Sequence, residues 1–266
     1  MSTALKDAVT GGSVQQRRTN DIAALLNDPR VKQQMALALP RHVTADRLAR
    51  VALTEVRRNP VLARCDQMSL LGAIMTCAQL GLEPGGPLGH AYLVPFENRK
   101  EGRTEVQFVL GYRGMIELAR RSGQIQSIEA RAVYDGDEFE VRFGLESRLT
   151  HVPDFENPNR TCPEKLRFVY AVARLRDGGV QFEVMSRREI EAVRAQSRAA
   201  ASGPWQTHYE AMAMKSVIRR LFKYLPVSVE VAQAIEQDER AELGLPQEHL
   251  LATDDVTDVA PASPPE

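Results

Sequence analysis

The sequence predicts an α+β fold with N-terminal helices, a central and mainly antiparallel β-sheet built from hairpins, and C-terminal helices. Apolar residues recur at helical spacing before Gly81 and again after Trp205. Between these segments, runs of alternating apolar and polar residues are separated by turn dipeptides. Strands that are grouped together, rather than alternating with helices, are typical of this class.

The N-terminal helices have identifiable ends. Thr44 is positioned as the N-cap of a helix with a periodic apolar face. A second apolar helix is expected to begin at a cap on Asp66 or Ser69 and to end at Leu80. Gly81 follows, where a glycine favours the left-handed conformation that ends a helix.

The middle of the chain predicts strands joined by turns. Asp135-Gly136 and Asp177-Gly178-Gly179 are the clearest turn signals between apolar runs. A helix is expected over residues 112–122, and residues 151–165 are expected to form an irregular loop. The predicted strand segments are residues 90–96, 105–112, 125–143, 166–176 and 180–185.

The last third of the chain predicts two main helices. Ser186 and Glu189 have the spacing of a capping box, which opens a helix to about residue 201. Gly203-Pro204 then breaks the chain, and a long helix is expected over residues 205–224.

The net charge of −1 conceals a basic body and an acidic end. Residues 230–266 contain ten acidic residues and one arginine, a net charge of −9, which leaves residues 1–229 with +8. A basic body suits a polyanionic partner such as nucleic acid, although a solvated charged surface gives the same composition. The predicted organisation is a flexible N-terminus, a single α+β domain and a disordered acidic tail, at residues 1–20, 21–243 and 244–266.

Several classes of protein lack their sequence signals here. No apolar run approaches the roughly 20 residues of a membrane span, and the first 20 residues carry no apolar segment of a secretory signal. The three cysteines form no CxxC pair and are expected to be reduced thiols of a cytosolic protein. The sequence has no phosphate-binding GxxxxGK(S/T) loop, and its five histidines have no zinc-binding spacing.

The long C-terminal helix is the main candidate for a binding surface. One stripe of it is assigned to the core and comprises Met214, Ile218, Leu221 and Leu225. The opposite strip is basic, has Trp205 and Ser216 at its margins, and comprises His208, Met212, Lys215, Arg219 and Lys223. Cations four residues apart repel one another unless an anion lies along them, so the strip suits a nucleic-acid backbone. A solvated basic face is the alternative, and Trp205 alone is more typical of a packing anchor.

Two further segments contain several basic residues. Arg113, Arg120 and Arg121 lie near one face of the helix over residues 112–122, but Glu117 between them makes a local salt-bridge cluster an equal alternative. The predicted hairpin tip at residues 97–105 mixes both signs of charge, which favours a plain solvated loop.

An acidic cluster raises the possibility of a metal-dependent nuclease. It consists of Asp135, Asp137, Glu138 and Glu140. Charged residues are expected at an Asp-Gly turn in any case, and no lysine follows at short range, so the nuclease is the weaker alternative. No arrangement of catalytic residues and no metal site follows from the order of residues along the chain.

Four long blocks of this sequence resemble the RecT family of prophage recombinases. They are CAQLGLEPGGPLGHAYLVPF (77–96), GYRGMIELARRSGQI (111–125), YAVARLRDGGVQFEVMSRREIE (170–191) and GPWQTHYEAMAMKSVIRRLFKYLPVS (203–228). The resemblance extends over roughly residues 20–240. It implies a protein without a covalent catalytic centre that binds single-stranded DNA and anneals it to a complementary strand without ATP.

The resemblance also implies partners and site residues. A homo-oligomeric ring or helical filament, a phage exonuclease, the host single-strand-binding protein and the bacterial cytoplasm are expected; no cofactor is required, although magnesium could modulate DNA binding. The matching basic and aromatic residues are Arg113, Arg120, Arg121, Trp205, Lys215, Arg219, Arg220 and Lys223. The acidic tail is expected to occupy the basic groove or to dock a basic partner. A scaffold that binds nucleic acid only incidentally is the remaining alternative.

Overall fold

The computed structural model describes residues 19–40, 43–160, 162–198 and 200–247. The predicted α+β class is confirmed, with helices first, antiparallel sheets in the middle and helices last. Residues 1–18 and 248–266, which include most of the predicted flexible N-terminus and acidic tail, lie outside the described residues. No helix in the described ranges is both long and apolar enough to cross a membrane.

The chain divides into two compact units. The first contains the described residues up to Gly111 together with Glu236–Ala241 and residues 245–247. The second contains Tyr112–Ile235 and Glu242–Gly244.

The first unit is built around an apolar helix. Helix α1 includes residues 19–27, and it is followed by α2 (Pro29–Ala38), α3 (Ala45–Arg58) and α4 (Gln67–Leu80). The predicted caps are confirmed, because the side chains of Thr44 and Asp66 accept backbone N–H groups at the starts of α3 and α4, and Gly81 ends α4 at φ 60°. Helix α4 is buried on almost every side, as expected of a central core helix.

The sheet of the first unit is the hairpin of β1 (Ala91–Asn98) and β2 (Arg103–Leu110), as predicted. The edge of β2 that does not pair with β1 is hydrogen-bonded by residues close to the C-terminal end of the described chain. Gln247 accepts from the N–H of Phe108 at 2.7 Å and donates to its carbonyl at 2.6 Å, and Asp238 accepts from Leu110 at 3.0 Å. The described residues therefore include the first four of the predicted tail, up to Gln247.

The second unit begins with α5 (Tyr112–Arg121) and has a three-stranded antiparallel sheet. Its strands lie in the order β3 (Ile125–Tyr134), β6 (Leu166–Leu175) and β7 (Val180–Ser186). A separate hairpin of β4 (Glu138–Arg142) and β5 (Arg148–Val152) covers part of one face. Phe139 of this hairpin stacks on Phe168 and Tyr170 of β6, at centroid distances of 5.2 and 5.7 Å.

Two local predictions differ from this arrangement. The Asp135-Gly136 turn exists, but it connects β3 and β4, which belong to different sheets. The strand β5 extends into the segment expected to be an irregular loop. The first difference arises because β3 pairs with β6, more than 30 positions away, and local turn chemistry carries no signal for that pairing. The second arises because residues 151 and 152 pair with β4.

Four helices complete the described chain: α6 (Arg187–Gln196), α7 (Pro204–Thr207), α8 (Tyr209–Phe222) and α9 (Val229–Glu242). The capping box of Ser186 and Glu189 at the start of α6 is confirmed, although α6 ends earlier than residue 201. The predicted long helix is interrupted at His208, whose φ of −141° and ψ of 50° are not helical. Helix α8 packs against β6 and β7.

Candidate nucleic-acid interface

The basic strip expected on α8 is not a continuous exposed surface. Lys215 and Arg219 are each only 8% exposed. Arg219 Nη2 lies 2.5 Å from a carboxylate oxygen of Glu242, which is equally buried. Of the predicted core stripe, Ile218, Leu221 and Leu225 are buried, and Met214 is half-buried. Most faces of helix α8 are therefore buried within the second unit. DNA contact by Lys215 and Arg219 stays a prediction.

The remaining basic residues around α8 differ in their surroundings. His208 and Lys223 are exposed at the two ends of the helix. Arg220 lies 2.7 Å from Glu189 and 3.4 Å from Glu183. The hydrogen bond from Arg220 lowers the pKa of Glu189 to about 2. Arg220 therefore connects α8 to the capping box of α6.

Trp205 is a packing anchor in the described structure. Its side chain is 1% exposed, and its ring meets that of Tyr209 edge-on at 6.0 Å. The hydroxyl of Tyr209 in turn donates to Glu191 at 2.7 Å. A base cannot stack on a ring that is already enclosed, so contact between Trp205 and DNA requires a rearrangement of this helix pair.

The arginines of α5 are exposed, as a binding surface requires. Arg113, Arg120 and Arg121 all reach solvent. The predicted salt bridge is also present, since Arg121 Nε lies 3.0 Å from Glu117. The two readings of α5 are therefore compatible, with Glu117 orienting one arginine and leaving the helix end basic.

Two more arginines, which were not among the residues predicted from the sequence, lie beside the end of α5. The N–H of Arg176 donates to the carbonyl of Gln124 at 2.9 Å, which joins the end of β6 to the turn after α5. Arg174 and Arg176 are exposed. We call the group Arg120, Arg121, Arg174 and Arg176 the basic corner. An Arg-Leu-Arg sequence directly before the Asp177 turn was the available signal, but only the long-range pairing of β3 with β6 places it next to α5.

The acidic turn cluster does not form a metal site. Asp137 is buried and accepts from the N–H groups of Tyr134 and Asp154 at 2.8 Å each, from Arg160 at 2.9 Å, and lies 3.2 Å from His151. Burial disfavours its charge, but these hydrogen bonds prevail and lower the pKa of Asp137 below its usual value. Asp135 is exposed beside Lys165 and Arg167. Across the described ranges, no three histidine, cysteine or acidic side chains are placed to hold a metal ion.

The predicted hairpin tip in the first unit has its charges paired locally. Arg99 lies 3.7 Å from Glu97, and Arg103 lies 2.8 Å from Glu105. These pairs agree with the interpretation of a solvated loop.

The fold and these surfaces define a mixed α+β protein whose exposed arginines suit a polyanion. A protein-family model, described as the RecT family, matches residues 46–250 of this chain. Protein RecT of Escherichia coli (strain K12) is 55% identical over 228 residues, which cover 85% of this chain and 83% of that protein. The uncharacterized protein YqaK of Bacillus subtilis (strain 168) is 27% identical over 229 residues, covering 85% of this chain and 75% of that protein.

The chain belongs to the RecT family. Proteins of this family are single-strand annealing proteins of DNA recombination, which bind DNA without catalysing a covalent step. They do not need a cofactor.

Proposed function

We propose that this protein binds single-stranded DNA and pairs it with a complementary strand without ATP, as the recombinase of a phage or prophage. The observation that carries this proposal is the 55% identity to protein RecT over 85% of the chain. Annealing is opposed by repulsion between phosphates and by structure within each strand. A protein that neutralises phosphates and leaves the base edges accessible lowers both obstacles, and base pairing then reads the sequence.

The basic corner is our proposed contact with the DNA backbone in the second unit. Arg120, Arg174 and Arg176 are exposed, and guanidinium groups donate readily to phosphate oxygens. Arg113, His208 and Lys223 are the other exposed residues of the sequence-based prediction. Contact of DNA with Lys215, Arg219, Arg220 and Trp205 stays a sequence-based prediction. In the described structure Arg219, Arg220 and Trp205 contact Glu242, Glu189 and Tyr209.

The protein is further proposed to act as a homo-oligomer, a ring or helical filament on DNA. Polymerisation along a strand multiplies weak phosphate contacts into strong avidity. A phage exonuclease that exposes the single strand and the host single-strand-binding protein are the proposed partners, in the cytoplasm of a bacterial host. Magnesium would modulate DNA binding by screening phosphates rather than by completing a catalytic site.

A stopped-flow annealing assay tests the proposal. Two complementary oligonucleotides are mixed with purified protein, with no nucleotide, and strand lengths are then checked on a denaturing gel. Faster pairing of full-length strands is expected. Shortened strands with magnesium would instead support a nuclease, and unaccelerated pairing by a stable oligomer that ignores DNA and salt would support a scaffold.

A further inference from the structure

A cavity of about 750 Å³ in the second unit has an unusual concentration of aromatic side chains. Its lining includes Tyr112, Tyr134, Phe155 and Tyr170. The chain has only six tyrosines, and three of them line this one cavity. Phe155 is 75% exposed and lies at the rim, so its ring is accessible from solvent.

The cavity is built on a rigid support. The guanidinium of Arg160 lies 4.8 Å from the ring centroid of Phe155 and 5.7 Å from that of Tyr134. Arg160 is held in turn by the buried Asp137. His151 also connects Asp137 to the hydroxyl of Tyr170, at 3.2 and 3.1 Å. One carboxylate therefore holds both Arg160 and His151, which contact the aromatic side chains of the lining.

The charges of the lining are compensated. Arg131 lies 3.2 Å from Glu129, Arg160 lies 2.9 Å from Asp137, and the hydroxyl of Tyr134 donates to Glu210 at 2.5 Å. A phosphate group would meet these carboxylates as well as the arginines. A neutral, flat ligand with hydrogen-bonding edges is a better match, because aromatic rings stack on its faces while carboxylate and guanidinium groups meet its edges.

The backbone of β3 adds further hydrogen-bonding groups. Four consecutive residues, 129–132, line the cavity. Side chains of successive strand residues point to opposite faces, so a cavity that meets all four lies along the edge of the strand. Within the described residues β3 is an outer strand of its sheet, so its edge away from β6 offers backbone N–H and C=O groups that no neighbouring strand uses.

We propose that this cavity is a binding site for a single nucleobase of the bound DNA strand, stacked against Phe155. The proposal rests on the proposed function and adds a base contact to the phosphate contacts of the basic corner. Every base has a flat face, so stacking itself does not distinguish the bases, and any preference of the site would come from the hydrogen bonds at the base edge. A base held there is unstacked from its neighbours and is released when the complementary strand pairs with it.

The test compares Phe155→Ala with Phe143→Ala. Phe143 is also exposed, at 68%, and belongs to the same unit, but it lies outside the cavity lining. Equilibrium binding is measured by fluorescence anisotropy with an oligothymidylate and with an abasic oligonucleotide of the same length. We expect the wild type to bind the abasic strand about tenfold more weakly. Phe155→Ala should lose most of that difference, whereas Phe143→Ala should keep it.

The outcomes separate this inference from the function beneath it. If the wild type binds neither strand, the proposed function fails. If it binds both equally, or if Phe155→Ala keeps the full difference, the base site is overturned while DNA binding stands. If Phe155→Ala changes the sedimentation of the protein without DNA, the cavity is an interface between copies instead. Phe155→Tyr, which keeps the ring, should restore the difference, and circular dichroism checks that each variant is folded.

Discussion

The carboxylate of Asp137 has four hydrogen-bonding partners and is screened from solvent. It ties β3, the β4–β5 hairpin and residues 154–160 together. A buried carboxylate of this kind stabilises a fold only while all its donors are present, because an unpaired donor or charge is costly to bury. Asp137, which the sequence pattern suggests as a possible metal ligand, therefore stabilises the fold by hydrogen bonding.

We expect Asp137→Asn to lower the free energy of unfolding by about 2 to 4 kcal/mol, since Arg160 and two backbone N–H groups lose a charged acceptor. Asp135→Asn, two residues away and 55% exposed, is the matched control and should change it by less than about 0.5 kcal/mol. Urea unfolding followed through the fluorescence of Trp205, the single tryptophan, measures both. Equal effects would contradict the role assigned to Asp137.

On helix α8 the burial predicted from residue spacing differs in part from the burial in the structure. The residue spacing correctly assigns Ile218, Leu221 and Leu225 to the core. The spacing does not reveal that Lys215 and Arg219 are also buried. Charged residues are predicted to be exposed unless an ion-pair partner is known. The partner of Arg219 is Glu242, on a different helix.

The Arg219–Glu242 pair gives a direct test. Arg219→Ala should lower the free energy of unfolding by about 3 to 5 kcal/mol, because it leaves a buried carboxylate without its cation. Arg219→Ala combined with Glu242→Ala should cost less than the sum of the two single changes. Additive and small effects in urea unfolding would show that the pair is solvated rather than buried.

Local chemistry predicted most helices and hairpins, and long-range pairing accounts for what was missed. Caps at Thr44, Asp66 and Ser186 depend on neighbours within three residues, so the sequence reveals them. The basic corner and the aromatic cavity depend on β3 pairing with β6, and no local signal specifies that register. The sequence therefore predicts which residues share a helix, but it does not predict which residues lie beside them across the sheet.

The basic excess of the chain lies before residue 230 and the acidic excess lies after it, so we expect DNA affinity to depend on the exposed arginines of the basic part. We expect Arg120→Gln combined with Arg174→Gln to weaken binding to every sequence and to make the slope of log K against log salt shallower by about 1.4, if each arginine contacts one phosphate. Anisotropy titrations at several salt concentrations measure the slope. Arg99→Gln, on the hairpin of the first unit, is the control, and an unchanged slope in the double variant would exclude the basic corner.

The end of the chain contains Gln247, which is hydrogen-bonded to Phe108, followed by the acidic segment 248–266. Deleting residues 248–266 removes five acidic residues and should tighten DNA binding or abolish recruitment of a basic partner. Deleting residues 245–266 also removes Gln247 and should cost about 1 to 3 kcal/mol of stability, since the N–H and C=O of Phe108 lose their partner. If the shorter deletion leaves both DNA affinity and partner binding unchanged, the acidic segment has neither role.

The three thiols of this chain differ in a way that experiments can use. Burial raises the pKa of Cys65 to about 11 and that of Cys77 to about 12. Cys162 is partly exposed, and its thiol donates to Glu164. Maleimides and similar reagents attack the thiolate of an accessible cysteine, so they should label Cys162 first. The native protein can therefore carry a dye in its second unit, and the arrival of DNA or of another subunit can be followed there by energy transfer.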